Sequence, residues 1–596
     1  MKVASTLAVL VLCIATAQAQ SAAWHHELTE LERNHVERIG FEPVGARGIT
    51  DPPPFDELRT AAEWEEIEAL TIAWTSFPCI QKQIVAAASQ ECSVIVFAED
   101  PAACENYLTG SSCGGALDLT SVQIVNADYN SIWIRDYGAT TVYGSFNDDR
   151  VLVDWIYNRP RPLDDAIPDV LGSTLNIPVY STTASPTDLM GTGGNWMSDG
   201  FGTAFASELV LEENMGGSTW WTSFPDHTET EIRGIVEAFH GVDEYALMPT
   251  LPYDGIHHID MHMKLLDEHR LLVAEYPEGT ADGPQIEANL EYVLANYTTR
   301  WGTPFEVVRI PSPPEGGFGG GYPNQGGDYL TYTNSVFINN TILVPTYYQQ
   351  YDTTALRIYE EQLPGYNVVG IDCDNSGEDI IQLSGAIHCI THSVGVEDPL
   401  ILSHLPLPDT EDTVNDYPVS ATCSHRSGMA VAEMHWRAQG ETAWNVVTLS
   451  DAGNDEFTGA LPAQPEGTVV EYYLHGEATS GKVGNRPMPA PEGFWSFRVG
   501  SLPQGMAVIE GAFSQPAFPN PASAITCIPV SLPRSTRGTL DVIDATGRCI
   551  ETVYEGTLPA GTSKHFIQAA DWPRGAYLIR LRLEDGRTGT QRLMVN

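Results

Sequence analysis

The sequence predicts an α/β protein in which similar ββαβ units close into a pseudosymmetric array, followed by a β-sandwich and a further C-terminal unit. Three observations carry this. Between about residue 58 and 405, a pair of strand-like runs, a helical run and another strand recur roughly every 55 to 75 residues. Five such units can be placed, so their opening strands can face a common centre. From about 406 to 500 helical periodicity nearly vanishes and short strands take over.

Length and charge bound the rest. A chain of 596 residues is too long for one core. Lys+Arg 30 against Asp+Glu 78 gives a net charge of −48, a surface that repels nucleic acid and anionic membranes and favours cationic ligands.

Residues 1–19 have a basic start, an apolar run and a small-residue site at Ala17-Gln18-Ala19, the pattern of a secretory leader. No later stretch is apolar for long enough to span a bilayer. Residues 20–57 hold an amphipathic helix, Trp24 to Ile39, and a Pro-rich linker at Asp51–Pro54. Whether this is a pro-segment or an N-terminal arm stays open. Of ten cysteines, Cys13 lies in the leader and nine remain, an odd number in an exported chain. Cys104 with Cys113 and Cys527 with Cys549 are candidate pairs, and Cys389 is the candidate free thiol.

In the repeat region the first unit reads as strand Ala69–Phe77, helix Gln81–Gln90 and strand Cys92–Ala98. Later units open near Ser131, Asn195, His258 and Thr333. The fourth has a hairpin over Ile259–Tyr276, helix Gln285–Tyr297 and strand Phe305–Ile310. The fifth has a hairpin over Tyr332–Thr346 turning at Asn339-Asn340, helix Thr354–Leu363 and strand Val368–Asp372.

Polar stretches sit on the opening strands of this scheme: Trp133-Ile134-Arg135-Asp136, Gly193-Gly194-Asn195-Trp196, His257-His258-Ile259-Asp260-Met261-His262, and Tyr332-Thr333-Asn334-Ser335. On a strand, His258, Asp260 and His262 would share one face. Cys389 closes the series, flanked by His388 and His392, and a thiol between imidazoles can be held as the nucleophilic thiolate. Other readings stand beside this one. Arg135 and Asp136 could be a buried structural pair, and His258, Asp260 and His262 suit zinc or iron, although a metal centre leaves Cys389 without a role. The run Gly316–Gly327 lacks a following Lys-Ser/Thr and helix, which argues against a phosphate loop and for a lid or linker.

Taken in order, the segments Ala62–Trp74, Trp133–Gly138, Ile156–Asp165, Thr192–Gly200, His258–Asp260, Tyr332–Ser335 and His388–His392 resemble the guanidine-modifying superfamily. The resemblance is to its agmatine-deiminase-like and Porphyromonas-type peptidylarginine deiminase branch, and it covers about residues 58–400. It implies a five-bladed α/β-propeller and a cysteine hydrolase of arginine-like guanidines. In the implied roles Asp136 and Asp260 grip the guanidinium, Cys389 attacks its carbon, His258 moves protons and Asn334 orients the nucleophile or hydrogen-bonds the substrate. Trp133 lines the substrate site, and Arg159 and Arg161 bind the carboxylate of a C-terminal arginine. A plainer reading pairs these arginines with Asp164 and Asp165. Gly255 stands where the peptidyl enzyme has a carboxylate-binding tyrosine, with Tyr253 nearby. No metal is required for catalysis on this reading, and a structural calcium or sodium ion stays open.

Short strands Ala430–Arg437, Trp444–Leu449, Thr468–Leu474 and Phe494–Val499 read as an immunoglobulin-like sandwich over 406–500. After the linker Ser501–Gly505, residues 506–596 are similar to the C-terminal sorting domain of the type IX secretion system. That similarity implies a second β-sandwich, the secretion machinery as a partner and a secreted or cell-surface location. The expected substrates are peptidyl arginine, preferentially C-terminal, or in the alternative agmatine or another small guanidine. An adhesin on an inactive scaffold is the non-enzymatic alternative.

Overall fold

The computed structural model describes residues 26, 29–39, 45–216, 225–276, 279–313, 329–375 and 377–500, then 513, 516–522, 525–532, 536–544, 548–559, 561–570, 572–583 and 587–595. The leader, the start of the Trp24 helix, the Gly316–Gly327 run and the Ser501–Gly505 linker lie outside these residues.

Five sheets of the repeat region share one pattern. A short opening strand runs antiparallel to a middle strand, which runs parallel to a third across a helix. The opening, middle and third strands are Met197–Ser198, Thr203–Ser207 and Glu244–Met248 in one sheet; Met263–Leu265, Arg270–Glu275 and Glu306–Pro311 in the next; and Val336–Ile338, Thr341–Thr346 and Asn367–Asp372 in another. A further sheet sets Thr140–Gly144 against Asp149–Asp154 and then Val179–Ser181, with Arg59–Thr60 on its edge. The remaining sheet joins the two ends of the region. Its opening strand, His392–Gly395, pairs antiparallel with Ile67–Ala73, which continues into Ser93–Ala98 and Val122–Asn126.

The parallel strands are apolar because both of their faces are covered. Val94 to Ala98 are all buried, as are Leu271 to Ala274. The crossover helices carry their own signals. In Glu229–His240, Thr228 and Glu231 form a reciprocal capping box, Gly241 ends the helix in the left-handed region at φ 65°, and Ile232, Ile235, Val236 and Phe239 turn inward at helical spacing.

Most predicted elements lie within a few residues of their place. Helix Gln285–Tyr297 is observed at Gly283–Asn296, and the Asn339-Asn340 turn joins Val336–Ile338 to Thr341–Thr346. The disulfide expectation fails. Cys113 bonds to Cys79, with Cα atoms 5.4 Å apart. Cys104 faces the core from helix Pro101–Leu108, and Cys527 and Cys549 are free. Cys389 is free as expected, but so are Cys92, Cys373 and Cys423.

The chain divides into two compact units. One gathers Met1–Pro408 with Asn415–Ala463 and Val469–Phe497. Its later part holds two mostly antiparallel sheets, one of Ile401–Ser403, Tyr417–Ser424, Glu456–Leu461 and Ser450–Gly453, the other built on Met429–Ala438 and Val469–Ala478. The other unit includes Arg498–Asn596 and packs antiparallel strands, Thr536–Asp544 and Gly575–Leu583 among them, around Ile528, Val530, Leu540, Ile579 and Leu593.

Candidate active site

Each singled-out polar residue lies just before an opening strand rather than on it. Asp136 is on the single turn Ile134–Tyr137 before Thr140, and Asp260 is on the turn Ile259–Met261 before Met263. Asn334 precedes Val336, and Cys389 precedes His392. A chain entering a sheet through one tight turn can aim a short side chain along the strand axis, which an alternating strand cannot do. This overturns the shared face expected of His258, Asp260 and His262. His258 begins the turn and lies beside Asp136, Asp260 faces Cys389, and both ring nitrogens of His262 lack a partner among the described residues.

Around the thiol, the Asn334 side-chain nitrogen donates to Asp260 Oδ2 at 2.9 Å and lies 3.2 Å from the Cys389 sulfur. Asp260 Oδ2 is 3.8 Å from that sulfur and 2.7 Å from His388 Nδ1. The other Asp260 oxygen is buried without a hydrogen-bond partner among the described residues. Burial first, then Asp260 and Asp136, push the Cys389 thiol well above its ordinary pKa. The flanking histidines therefore do not hold a thiolate. His388 reaches Asp260 and Glu63, and the His392 ring lies against Gly138.

Asp136 forms the other half of the site. Its Oδ1 accepts from the Thr192 hydroxyl at 2.9 Å and the Gly194 N–H at 3.2 Å, and its Oδ2 lies 2.5 Å from His26 Nε2. Burial opposes ionisation of Asp136, yet His26 beside it holds the carboxyl below the usual range. His258 bonds to the Thr192 hydroxyl at 3.2 Å, and burial takes its imidazole down to about 4. The glycines have a steric reason. A Cβ on Gly194 would lie 2.4 Å from His258 Nδ1, and one on Gly385 would lie 2.4 Å from the Trp133 ring and 3.3 Å from Cys389 Cβ. Trp133 is fully buried against this wall. A backbone bond from Arg135 N–H to the Cys389 carbonyl, 3.1 Å, ties the two halves together.

Several contributors were not foreseen as functional. Glu63 accepts from Lys264 and His388 and pairs with Arg135 at 3.3 Å, and no ion pair joins Arg135 to Asp136 among the described residues. Glu213, pushed up to about 8 by burial, holds Asn158 beside Arg159. Glu63 lies in the stretch read only as a domain opening, and nothing in sequence marked His26. Arg159 donates to the His26 carbonyl at 3.1 Å, and Arg161 to Glu32 at 2.8 Å. Of their expected alternatives, Asp164 accepts from Ser131 while Arg161 still favours its charged form, and Asp165 pairs with Arg47. The Tyr253 side chain is exposed. Among the described residues the one group able to gather a metal is His26, Asp136 and His258, without Asp260 or His262.

Residues 59–394 match the Porphyromonas-type peptidyl-arginine deiminase family, more than half of the chain. The chain belongs to that family. The deiminase is accordingly a hydrolase of guanidino C–N bonds. It is similar to the agmatine deiminase of Medicago truncatula, 24% identical over 383 residues that cover 58% of this chain and 98% of the plant enzyme. Among solved structures it is similar to the agmatine deiminase of Enterococcus faecalis (19% identity, TM-score 0.48, covering 59% of this chain and all of that one). The C. jejuni agmatine deiminase is another such structure (20% identity, TM-score 0.45, covering 56% and 96%). Residues 516–596 match a secretion system C-terminal sorting domain, which marks the deiminase as a secreted or cell-surface protein. No helix among the described residues is long and apolar enough to cross a membrane.

Proposed function

We propose that the deiminase converts arginine at peptide C-termini to citrulline and ammonia, with Cys389 as nucleophile. The observation that carries this reading is the unpartnered Asp260 oxygen on the carboxylate that lies 3.8 Å from the buried thiol. A guanidinium is planar, delocalised and weakly electrophilic, so it must be held in one plane against a strong nucleophile. Asp260 and Asp136 supply charge-assisted acceptors for its N–H groups, and Trp133 supplies a flat wall. The bound cation offsets the two carboxylates that disfavour thiolate. His258 takes the thiol proton as sulfur adds to the guanidinium carbon. His258, poised neutral, moves protons: one goes to the departing nitrogen, which leaves as ammonia, and the carbon stays on sulfur as a thiouronium. Water gives a proton to His258 as it adds to that carbon, the C–S bond breaks as sulfur regains a proton, and the ureido product forms while the one remaining proton passes to the released ammonia. These steps pass through no metal.

The choice of a peptide end rests on Arg159 and Arg161. Arg159 donates to a peptide carbonyl and Arg161 to a carboxylate, the two oxygen types a chain terminus presents. At the coarser level, we read the five sheets as blades of an α/β-propeller spanning 58–405, and 406–500 and 506–596 as β-sandwiches. The leader is cut near Ala19 and the sorting unit near residue 505 or later, which the intact mass of protein from culture medium tests. For the reaction, ammonia and ureido product are measured with blocked peptides ending in arginine, free arginine and agmatine. Preference for the peptides supports the reading, preference for agmatine replaces it with a small-guanidine deiminase, and no turnover of any rejects it.

A further inference from the structure

We propose that the segment carrying His26 and Glu32 is an autoinhibitory plug, with His26 seated where the substrate guanidinium binds. The inference rests on the reading of Asp136 as a guanidinium-binding carboxylate. His26 is fully buried, and its ring stacks on Trp133 with centroids 4.2 Å apart and planes 11° from parallel. Its Nε2 is 2.5 Å from Asp136 Oδ2 and its Nδ1 is 2.8 Å from the Ser384 carbonyl oxygen. Both nitrogens face acceptors. The flat ring thus turns its nitrogen-bearing edge to a carboxylate and a carbonyl and its face to an indole. A guanidinium makes the same demands.

The imitation extends to the substrate's other end. The His26 carbonyl takes the Arg159 N–H, and the Glu32 carboxylate takes Arg161 through Nε at 2.8 Å and Nη2 at 3.3 Å. These are the two arginines assigned above to the chain terminus of a peptide. Glu32 is held in place because it also caps its own helix, accepting from the Thr29 N–H at 2.8 Å and the Thr29 hydroxyl at 2.9 Å. The backbone adds a bond from the His26 N–H to the Leu383 carbonyl at 3.2 Å. Beyond the helix, Arg47 pairs with Asp154 at 2.9 Å and Asp165 at 2.6 Å, and Ile49 bridges to Tyr180. A peptide substrate must displace both His26 and Glu32. Its apparent affinity is reduced by the fraction of time the plug is seated.

The test uses the chain without its leader, unmodified and as His26→Ala, Glu32→Ala and Cys389→Ala. Steady-state constants are measured with a blocked peptide ending in arginine and with agmatine. The rate of Cys389 alkylation by 2-chloroacetamidine, a small flat cation, is measured alongside, and circular dichroism checks the fold. His26→Ala is expected to lower KM for both guanidines and to speed alkylation by roughly tenfold or more. Glu32→Ala is expected to lower KM for the peptide more than for agmatine. KM and alkylation rates unchanged in both folded variants would overturn the plug. If no form releases ammonia, the assigned reaction fails instead. Alkylation then decides alone, a tenfold rise in either folded variant supporting the plug and an unchanged rate overturning it.

Discussion

The Asn334 amide nitrogen stands 3.2 Å from the Cys389 sulfur while it donates to Asp260 at 2.9 Å. One side chain thus holds the proposed nucleophile and a carboxylate that would orient its target. Replacing Asn334 with Ala removes a donor that stabilises developing thiolate and frees Asp260 to turn away. We expect kcat to fall by about 100-fold, with a smaller change in KM, as for the loss of one preorganised donor. A kcat within about threefold of the parent would remove Asn334 from the chemistry.

Glu63 is the hub behind that pair. It accepts from His388, which in turn holds Asp260, and it offsets the charges of Lys264 and Arg135. Burial works against its ionisation, yet His388 first, then Lys264 and Arg135, hold its carboxyl well below the usual range. A depressed carboxyl contributes stability above its unfolded pKa of about 4.3 and loses it as pH falls toward the folded value. The Glu63 side chain keeps 21% of its surface exposed, so Glu63→Gln should cost about 2–3 kcal/mol at pH 7, less than a fully buried pair would. Urea unfolding at pH 7 and pH 4 reads this. A cost that does not shrink on acidification would contradict the assignment.

On the proposed mechanism the thiol sets the pH dependence of turnover. Burial, then Asp260 and Asp136, disfavour deprotonation of Cys389, and a group that must lose a proton to react gives activity that rises with pH. His258, near 4, stays neutral above pH 6 and adds no opposing limb there. In His26→Ala, kcat/KM for agmatine should climb about tenfold per pH unit from 6 to 8 and still rise at 9. A plateau below pH 7 would mean that thiolate exists before substrate arrives.

Turnover should survive chelation. The mechanism uses Asp136 and Asp260 as acceptors for an organic cation, and a divalent ion there would compete with it. We expect unchanged kcat/KM after dialysis against EDTA. Loss restored by zinc or iron would favour a metal hydrolase, and loss restored only by calcium would indicate a structural ion.

What was legible in sequence was local. Helix Gly283–Asn296 could be read because Ile286, Leu290 and Val293 recur at helical spacing, and the turn at Asn339 because asparagine tolerates its φ of 50°. The order of the polar stretches placed Asp136, Asp260, Asn334 and Cys389 in one series, and the structure brings Asp260, Asn334 and Cys389 into contact. What escaped was non-local. His392–Gly395 pairs with Ile67–Ala73 across some 320 residues, and no pattern in either strand names its partner. The turns at Asp136 and Asp260 looked like strands because their apolar neighbours are buried in either geometry. His26, the second of an adjacent histidine pair outside every motif, acquires meaning only from the Trp133 and Asp136 side chains that receive it.

The covalent intermediate gives the most direct test of the account. The His26→Ala chain is mixed with a blocked peptide ending in arginine, quenched in acid during turnover, digested and weighed. The account predicts that the fragment carrying Cys389 gains the mass of the substrate less one ammonia, and that Cys389→Ala neither gains this mass nor releases ammonia. Turnover without the adduct, together with ammonia release by Cys389→Ala, would contradict it.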